Sequence, residues 1–366
     1  MDHLWETLQL VAAEHGLVGL GVGNAEPFLE VRDEMRRRKD TGLSGRLKFT
    51  YTDPGVATDV RASYPWAERL VVGASTYLPA AGDPGPARPG TGRVARFATE
   101  DHYQELRAGM EAVAETLAAG GGRAEVLIDD NRLVDRAAAV RSGVGWWGKN
   151  TMVLAPKYGP WLLLGTAVTD VELETTPAMA RDCGNCTACV PACPTGALDQ
   201  PGVLDATRCI SYWAQTPGII PQELRIPWGD RVYGCDDCLE ACPPGRRWME
   251  EAISEAPGRV NLAELLTATD QELLDSYGHF YIPRRNPAFL RRNALVALGN
   301  SGGPEAVALA IRYLQDPDPV LRAHAAWALG RLGGENANRA LAMALPGEAN
   351  TDVRAEIESA ALTLQA

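Results

Sequence analysis

The sequence has 366 residues, enough for two or three domains, and its 46% hydrophobic and 22% charged residues are ordinary for a soluble globular protein. A formal net charge of −12 argues against nucleic-acid binding through the surface as a whole, although a local basic patch can still hold RNA. The apolar runs are far too short to span a bilayer and the first residues lack the basic and apolar regions of a signal peptide, so we expect a cytoplasmic protein with no membrane partner.

The first part of the chain has a mixed pattern of helices and strands. Helical periodicity covers 2–15, 102–119 and 133–141, and short apolar runs predict strands at 70–75, 124–128, 152–155 and 161–168. The segment 79–92 is rich in proline and glycine and is predicted to be a loop. We therefore expect an α/β domain over residues 1–172.

Two glycine-containing motifs imitate nucleotide-binding loops. Gly143-x4-Gly148-Lys149 has the spacing of a P-loop, but Asn150 stands where magnesium needs Ser or Thr, and a helix rather than a strand precedes it. Gly19-x-Gly21-x-Gly23 lacks the third glycine of the dinucleotide-binding spacing. Neither motif predicts nucleotide binding.

All eight cysteines lie between Cys183 and Cys242. Residues 173–255 contain many prolines and short turns, which cannot build a large apolar core. A framework of disulfides is not expected in a cytoplasmic protein of this size. We therefore expect the cysteines to bind metal and to organise a domain over residues 173–255.

The cysteine spacing is that of bacterial ferredoxins. The runs are Cys183-x2-Cys186-x2-Cys189-x3-Cys193-Pro194 and, after Cys209, Cys235-x2-Cys238-x3-Cys242-Pro243. In such proteins three close thiolates bind one [4Fe–4S] cluster and the fourth binds the other cluster. The spacing assigns Cys183, Cys186, Cys189 and Cys242 to cluster one, and Cys193, Cys209, Cys235 and Cys238 to cluster two. Two four-cysteine zinc sites are the alternative, but zinc ribbons favour separated pairs of cysteines.

The C-terminal part of the chain repeats a helical pattern. Residues 291–299 recur as 322–330, with an offset of 31 residues, and a weaker third copy begins at Asp352. This is typical of HEAT-like repeats, in which each helix pair buries its apolar face against its neighbours. We expect such a domain over residues 256–366. Arginines cluster where it begins, at Arg284, Arg285, Arg291 and Arg292, and they indicate either a solvated helix face or a surface for RNA phosphates.

Two short segments are candidate site elements. A predicted strand ends in Asp129-Asp130, which can place a carboxyl at the mouth of a site or can cap a helix. In Gly145-Trp146-Trp147-Gly148-Lys149-Asn150, the two tryptophans either pack in a core or form the wall of a flat cofactor.

In this combination and order, the motifs resemble those of epoxyqueuosine reductases over nearly the whole chain. The resemblance lies in Asp129, Gly145-Trp146-x-Gly148-Lys149-Asn150, the double ferredoxin run, Arg208-Cys209-Ile210-Ser211-Tyr212, Tyr233-Gly234-Cys235-Asp236-Asp237-Cys238 and the C-terminal repeat. It implies a cobalamin enzyme that reduces epoxyqueuosine to queuosine at the wobble position of tRNA. It also implies that both clusters deliver electrons from an external donor and that the anticodon stem-loop is the partner. We expect a monomer.

The resemblance also implies roles for individual residues. Asp129 matches the proton donor, which must keep its proton near neutral pH, and an apolar pocket would achieve this by disfavouring the anion. Arg61 matches an arginine near the cobalamin, and Val153, Leu164, Ala167 and Ser211 fall where the family approaches the corrin. Arg284, Arg285, Arg291 and Arg292 are the expected tRNA contacts. The sequence lacks Asp-x-His-x-x-Gly, which supplies a histidine to cobalt in another cobalamin class.

Two other functions are compatible with parts of this pattern. A reductive dehalogenase-like enzyme would use the same cofactors on a small molecule. An electron-transfer ferredoxin fused to an interaction repeat would explain the cysteines and the helices, but not the large N-terminal domain. The C-terminal repeat favours a macromolecular substrate and therefore the tRNA enzyme.

Overall fold

The computed structural model describes residues 2–78, 85–251 and 258–364. The helices, in chain order, are α1 (Asp2–Glu14), α2 (Leu29–Asp40), α3 (Pro54–Ala57), α4 (Tyr103–Ala119), α5 (Asp135–Arg141), α6 (Cys189–Ala192), α7 (Ile210–Gln215), α8 (Gln222–Trp228), α9 (Asp237–Glu240), α10 (Pro243–Glu251), α11 (Leu262–Thr267), α12 (Asp270–Ser276), α13 (Ala288–Ser301), α14 (Ala306–Tyr313), α15 (Pro319–Leu332), α16 (Glu335–Ala344) and α17 (Thr351–Thr363). The strands are β1 (Gly19–Asn24), β2 (Arg69–Thr76), β3 (Thr91–Val94), β4 (Ala124–Leu127), β5 (Trp146–Trp147), β6 (Val153–Leu154), β7 (Leu162–Thr169), β8 (Arg231–Tyr233) and β9 (Arg259–Asn261).

The chain folds into two compact units. Unit one contains Met1–Ala80, Asp101–Thr207 and Asp237–Ile253, and unit two contains Ala81–Glu100, Arg208–Asp236 and Ser254–Ala366. These limits differ from the boundaries predicted after residues 172 and 255, the second of which lies outside the described residues. Residues 208–236, which were expected in a separate cysteine domain, fold together with the C-terminal helices.

A four-stranded sheet forms the centre of unit one. Its strand order is β1-β2-β7-β4, and every neighbouring pair is antiparallel. Side chains on successive strand residues point to opposite faces. One face packs with α5 in an apolar core that includes Val72, Leu127 and Leu133. The other face is covered by α4, which approaches so closely that a Cβ at Gly165 would lie 2.8 Å from Cγ of Met110.

Strand β1 contains the Gly19-x-Gly21-x-Gly23 motif and explains its glycines. Its residues pair with β2 along the edge of the sheet, and a Cβ at Gly21 would lie only 1.9 Å from the carbonyl oxygen of Ser142. The glycines of this segment therefore allow close packing against the turn after α5 rather than binding of a phosphate.

The C-terminal helices of unit two stack in the predicted repeat. Helices α13, α15 and α17 contain the three sequence copies, and α15 packs against both of the others. The starts of α15 and α17 are set by capping side chains: Asp318 accepts from the Val320 amide at 2.8 Å, and Asn350 accepts from the Asp352 amide at 3.0 Å. Helix α15 ends at Gly333, whose φ of 73° suits glycine. The expected HEAT-like architecture is thereby confirmed.

Several element predictions are confirmed within a residue or two. They include α1, α4, α5, β2, β4, β6 and β7. The predicted loop over residues 79–92 falls partly outside the described residues, and its end forms the start of β3. Within the part of the chain that the structure describes, no helix combines the length and apolar character needed to cross a membrane.

Candidate iron–sulfur and proton-donor sites

Four thiols of unit one lie close together, and they are the set that the spacing assigns to cluster one. Burial raises the pKa of Cys242 to about 12, and the neighbouring thiols of Cys183, Cys189 and Cys186 add to the rise. The same two causes raise the pKa of Cys189, where burial again comes first. Cys242 follows the other three by more than fifty residues in sequence, so the fold brings it back to them.

The raised pKa values of Cys189 and Cys242 mean that these two thiols keep their protons unless a cation replaces them. Burial disfavours the thiolate, and four negative sulfurs close together would repel one another. Iron removes both costs, because it neutralises the thiolates and takes the place of the protons. This donor set of four converging thiols therefore fits a [4Fe–4S] cluster.

The segment that imitates a P-loop supports the cysteines instead. The backbone N–H of Lys149 donates to Sγ of Cys183 at 3.4 Å, and its ammonium group donates to the carbonyl of Gly184 at 2.6 Å. The side-chain amide of Asn150 donates to the carbonyl of Cys238 at 3.3 Å. Lys149 and Asn150 thus hold two cysteine-bearing segments of unit one. An N–H directed at a ligating sulfur is also one means of tuning a cluster potential.

A similar contact supports the next cysteine of the first run. The Ala197 amide donates to Sγ of Cys193 at 3.2 Å, and the Thr195 hydroxyl lies 3.6 Å from the same sulfur. The second ligand set, Cys193, Cys209, Cys235 and Cys238, stays a prediction from the spacing. All eight cysteines are free of disulfide bonds.

The two tryptophans of β5 have different surroundings. Trp146 is buried and packs with Leu154 and Cys242. Trp147 is 45% exposed and pairs with Val153 on β6. Trp146 therefore fits the interpretation as a core residue. Trp147 fits the other interpretation, because it offers an exposed flat surface.

Asp129 lies two residues beyond β4 in an unusual backbone conformation. Its φ is 50°, in the left-handed region that residues with a side chain rarely adopt. The hydroxyl of Tyr103, the first residue of α4, hydrogen-bonds its carboxylate. Burial, together with that negative charge, raises the pKa of Tyr103, so the phenol keeps its proton and donates it in the hydrogen bond. Strained residues of this kind are often found at functional sites.

A second carboxyl lies close to Asp129. Burial raises the pKa of Asp135 well above its ordinary value, and the charge of Asp129 adds to the rise. Asp135 Oδ1 has no hydrogen-bond partner among the described residues. Tyr103 and Asp135 were not among the predicted site residues, because no local motif marks either residue.

The neighbouring Asp130 has a structural role. It accepts from the backbone N–H of Arg132 at 2.9 Å and from its Nε at 2.8 Å, which closes the turn after β4 and lowers the pKa of Asp130. Helix α5 begins at Asp135, so neither Asp129 nor Asp130 caps it. Asp129 makes no ion pair with any residue in the described ranges.

The residues expected near the corrin are spread over several elements. Val153 lies on β6, Leu164 and Ala167 on β7, and Ser211 on α7 in unit two. Leu164 and Ala167 are three residues apart on one strand, so their side chains point to opposite faces of the sheet. Leu164 belongs to the face with α5, whereas Ala167 is fully buried on the other face. A flat group on one face of the sheet would therefore meet the side chain of only one of the two, and their contact with the corrin stays a prediction.

Arg61 is held by acidic neighbours. Its guanidinium contacts Glu26 at 2.7 Å and Glu68 at 3.2 Å, and its Nε donates to the carbonyl of Ala67 at 2.8 Å. These contacts fix the guanidinium, and its side chain is about one-third exposed.

The arginines expected to contact tRNA differ in their surroundings. Arg284 and Arg285 are exposed, have positive φ values of 54° and 50°, and form no ion pair within the described part of the chain. Arg291 is paired with Asp270 and donates to the carbonyl of Ala268 at 2.9 Å.

Arg292 requires a correction, because it is only 1% exposed. Its guanidinium donates to the carbonyls of Trp213 at 2.6 Å and Gly218 at 3.0 Å, and also to that of Thr216. A side chain enclosed in this way has no N–H left for a phosphate. Arg292 joins α13 to the segment after α7 and does not contact RNA.

Comparison with known proteins is consistent with these sites. Residues 182–245 match the family described as 4Fe-4S double cluster binding domain, and residues 284–361 match HEAT repeats. The fold and the cysteine site define a two-cluster iron–sulfur protein with a helical repeat. The chain is 32% identical to the epoxyqueuosine reductase of Bacillus subtilis, covering 99% of this chain and 96% of the relative, and 31% identical to that of Bacillus cereus, covering 93% and 92%. It belongs to the epoxyqueuosine reductase family, whose members are oxidoreductases.

Solved structures of this family match from end to end. A crystal structure of epoxyqueuosine reductase with a tRNA-Tyr epoxyqueuosine-modified tRNA stem loop has a TM-score of 0.91 and 30% identity, with complete coverage of both chains. A structure of the Bacillus subtilis enzyme, with its catalytic aspartate loop swung out of the active site, has a TM-score of 0.90 and 30% identity over 99% of both chains.

Proposed function

We propose that this chain reduces epoxyqueuosine in tRNA to queuosine, with cobalamin as cofactor and Asp129 as proton donor. The observation that carries the proposal is the complete structural match, at a TM-score of 0.91, to an epoxyqueuosine reductase that holds a modified tRNA stem loop. The reaction removes the epoxide oxygen as water and leaves a carbon–carbon double bond. It consumes two electrons and two protons.

The electrons come from outside the protein through the iron–sulfur clusters. Cys183, Cys186, Cys189 and Cys242 hold cluster one, and Cys193, Cys209, Cys235 and Cys238 hold cluster two. Each cluster would carry one electron at a time, so a two-electron reduction would need two transfers. The protein acts as a monomer in the cytoplasm and takes electrons from an external donor.

When bound, cobalamin would supply the reducing chemistry needed to open the carbon–oxygen bonds. Trp147, which is 45% exposed, offers a surface that fits a flat apolar group, whereas Val153, its partner across the β5–β6 pair, is buried and is a proposed contact from the family resemblance alone. Thr166 Oγ1 is buried without a partner among the described residues, and it lies on the sheet face of Leu164. Arg61 and Ser211 are the remaining proposed contacts of the cofactor.

Asp129 gives a proton to the oxygen that leaves the substrate. The Tyr103 hydrogen bond and the turn closed by Asp130 fix the direction of its carboxyl group. Asp135, whose raised pKa keeps it protonated beside Asp129, is the group that can return a proton after each turnover.

The first test is conversion of epoxyqueuosine-containing tRNA by anaerobically purified protein with cobalamin and a chemical reductant, followed by mass spectrometry of the nucleosides. Asp129→Asn should lose ~10²- to 10⁴-fold in turnover, the usual contribution of general acid catalysis. Asp130→Asn is the matched control, because asparagine keeps the oxygen that closes the turn, and it should retain most activity.

Two outcomes would contradict the proposal. Turnover of Asp129→Asn close to that of the wild type removes this residue from proton transfer. Reduction of a halogenated small molecule, with no conversion of tRNA, favours the dehalogenase-like alternative.

A further inference from the structure

The most basic stretch of this acidic chain lies in unit one, far in sequence from the repeat. Residues 36–51, here called the basic loop, contain six cations and one acidic residue, whereas the whole chain has a net charge of −12. The cations are Arg36, Arg37, Arg38, Lys39, Arg46 and Lys48. Neither the cysteine sites nor the Asp129 site uses any of them.

The tip of the basic loop alternates cationic and apolar side chains on the surface. Arg46 and Lys48 are exposed, and between and beside them Leu47 is 42% and Phe49 43% exposed. Lys48 forms no side-chain hydrogen bond or ion pair within the described ranges. Exposed apolar side chains of this size, set between cations, mark a contact surface rather than a solvated turn.

The base of the basic loop is fixed to the body of unit one. The amide of Ala206 donates to the carbonyl of Leu43 at 2.8 Å, and Arg38 donates to the carbonyl of Gly202 at 3.2 Å. Directly after the loop, the amide of Thr52 donates back to the carbonyl of Lys48 at 2.6 Å. A partner that binds the tip therefore meets a surface that is already ordered, so that little conformational entropy is lost on binding.

The cations at the base are largely neutralised. Arg37 and Arg38 both pair with Glu34 at 2.7 Å, which lowers the pKa of Glu34 to about 2, and Arg36 lies 3.7 Å from Asp33. Acidic residues of α2 therefore neutralise the positive charge of these three arginines. Of the two lysines of the loop, Lys39 donates to the carbonyl of Tyr51 at 3.1 Å, whereas Lys48 at the tip has no ionic partner within the described ranges.

We propose that the tip of the basic loop, Arg46 to Phe49, is an RNA-contacting surface. The inference rests on the proposed function, in which tRNA is the substrate. Arg46 and Lys48 contact phosphates, and Phe49 stacks on an unpaired base. Cations interleaved with an exposed aromatic ring are the chemistry by which proteins hold single-stranded nucleic acid.

An acidic protein is the other partner that positive charge attracts. Gly202 donates to the carbonyl of Lys149 at 2.7 Å, and the amide of Lys149 contacts a cluster-one thiol, so the base of the loop is near the iron–sulfur site. The alternation of two cations with an aromatic ring favours RNA, because base stacking uses the ring and phosphates use the charges. Docking of an acidic electron carrier is therefore an outcome of the test.

The test measures binding of a fluorescently labelled, epoxyqueuosine-containing anticodon stem-loop by anisotropy over a range of salt concentrations. Arg46→Glu/Lys48→Glu should weaken binding and reduce the slope of log K against log salt by about two, one for each lost phosphate contact. Phe49→Ala should raise Kd by roughly 5- to 150-fold without changing the slope, because stacking releases no counterions. Cluster absorbance and melting temperature should match those of the wild type.

Arg107→Glu/Arg123→Glu is the matched control, because it reverses two exposed cations of the same unit outside the loop. It should keep the affinity and slope of the wild type. Equal affinity and slope in wild type, tip variants and control overturn the inference. So does normal RNA binding combined with a loss of cluster reduction by an acidic flavoprotein but not by dithionite. If the wild type does not bind the stem-loop at low salt, the proposed function itself fails.

Discussion

Asp129 and Asp130 are adjacent in sequence but differ in their surroundings. Asp130 is neutralised by Arg132 in a local turn, whereas Asp129 has a left-handed backbone and a hydrogen bond from Tyr103. The sequence identified the carboxyl pair, and the family resemblance selected Asp129. It did not identify Tyr103, because a contact across 26 residues depends on how α4 packs on the sheet.

Tyr103 is expected to act as a positioning residue. Tyr103→Phe removes the hydroxyl that holds the Asp129 carboxylate while it keeps the ring. A hydrogen bond to a charged group contributes about 1.5–3 kcal/mol, so kcat should fall roughly 10- to 100-fold, with KM for tRNA unchanged. Amide hydrogen exchange at residues 128–132 should become faster, because the turn loses one of its restraints.

Tyr158→Phe, which removes a hydroxyl elsewhere in unit one, is the control for Tyr103→Phe and should leave both measurements unchanged. A fall in melting temperature with an unchanged kcat would show that Tyr103 only stabilises the fold. The swung-out catalytic loop in the Bacillus subtilis structure is the kind of state that loss of this hydrogen bond should favour.

At the scale of helices and strands, local patterns predicted most of what was found. Strands β2 and β7 were evident from their apolar runs, and the repeat was evident from its offset of 31 residues. Strand β1 was missed, because its glycines conceal a strand pattern; the segment was compared only with a dinucleotide-binding motif, which it does not match. The grouping of residues 208–236 with the repeat was also missed, since it depends on buried contacts between distant segments.

Those buried contacts centre on α13. Besides the Arg292 contacts, Asn293 donates to the carbonyls of Ala214 at 3.0 Å and Val232 at 2.9 Å. Elsewhere in the unit, the guanidinium of Arg225 contacts both carboxylate oxygens of Glu356 on α17, at 2.8 and 2.6 Å. The repeat is therefore the support on which the segment between Cys209 and Cys235 is built, and Arg292 is the arginine of the repeat that serves this purpose.

Arg292→Ala is accordingly expected to destabilise the protein. The change removes the charged donor to the carbonyls of Trp213, Thr216 and Gly218, and only that of Trp213 keeps another donor, the amide of Thr216. A hydrogen bond from a charged group contributes about 1.5–3 kcal/mol, so the melting temperature should fall by several degrees. Iron content should fall as well, because the unsupported segment carries Cys209 and Cys235. Differential scanning calorimetry and iron analysis test this expectation.

Arg331→Ala, at an exposed position of α15, is the control for Arg292→Ala and should match the wild type. A stable Arg292→Ala variant with reduced RNA affinity would instead restore Arg292 as an RNA contact.

At the scale of the whole molecule, the net charge of −12 and an RNA substrate are compatible only if cations are concentrated locally. The repeat was expected to supply four such arginines. The structure leaves two of them, Arg284 and Arg285, exposed without ion pairs in the described part of the chain, whereas Arg291 is paired and Arg292 is buried. The electrostatic contribution of this region should therefore be half of what the sequence suggests.

The salt dependence of tRNA binding measures that contribution directly. Arg284→Gln/Arg285→Gln keeps the length of the side chains and removes two charges, so the slope of log K against log salt should fall by about two. Arg291→Gln is the matched variant on the same surface. Because Asp270 already neutralises its guanidinium, its slope should stay close to that of the wild type. Iron content and melting temperature should be unchanged by the double substitution, since neither exposed side chain supports the core.

A larger effect in Arg291→Gln than in the double variant would mean that tRNA displaces Asp270 from Arg291. Unchanged slopes in both would mean that phosphates are held elsewhere, and the basic loop of unit one would then be the first surface to test.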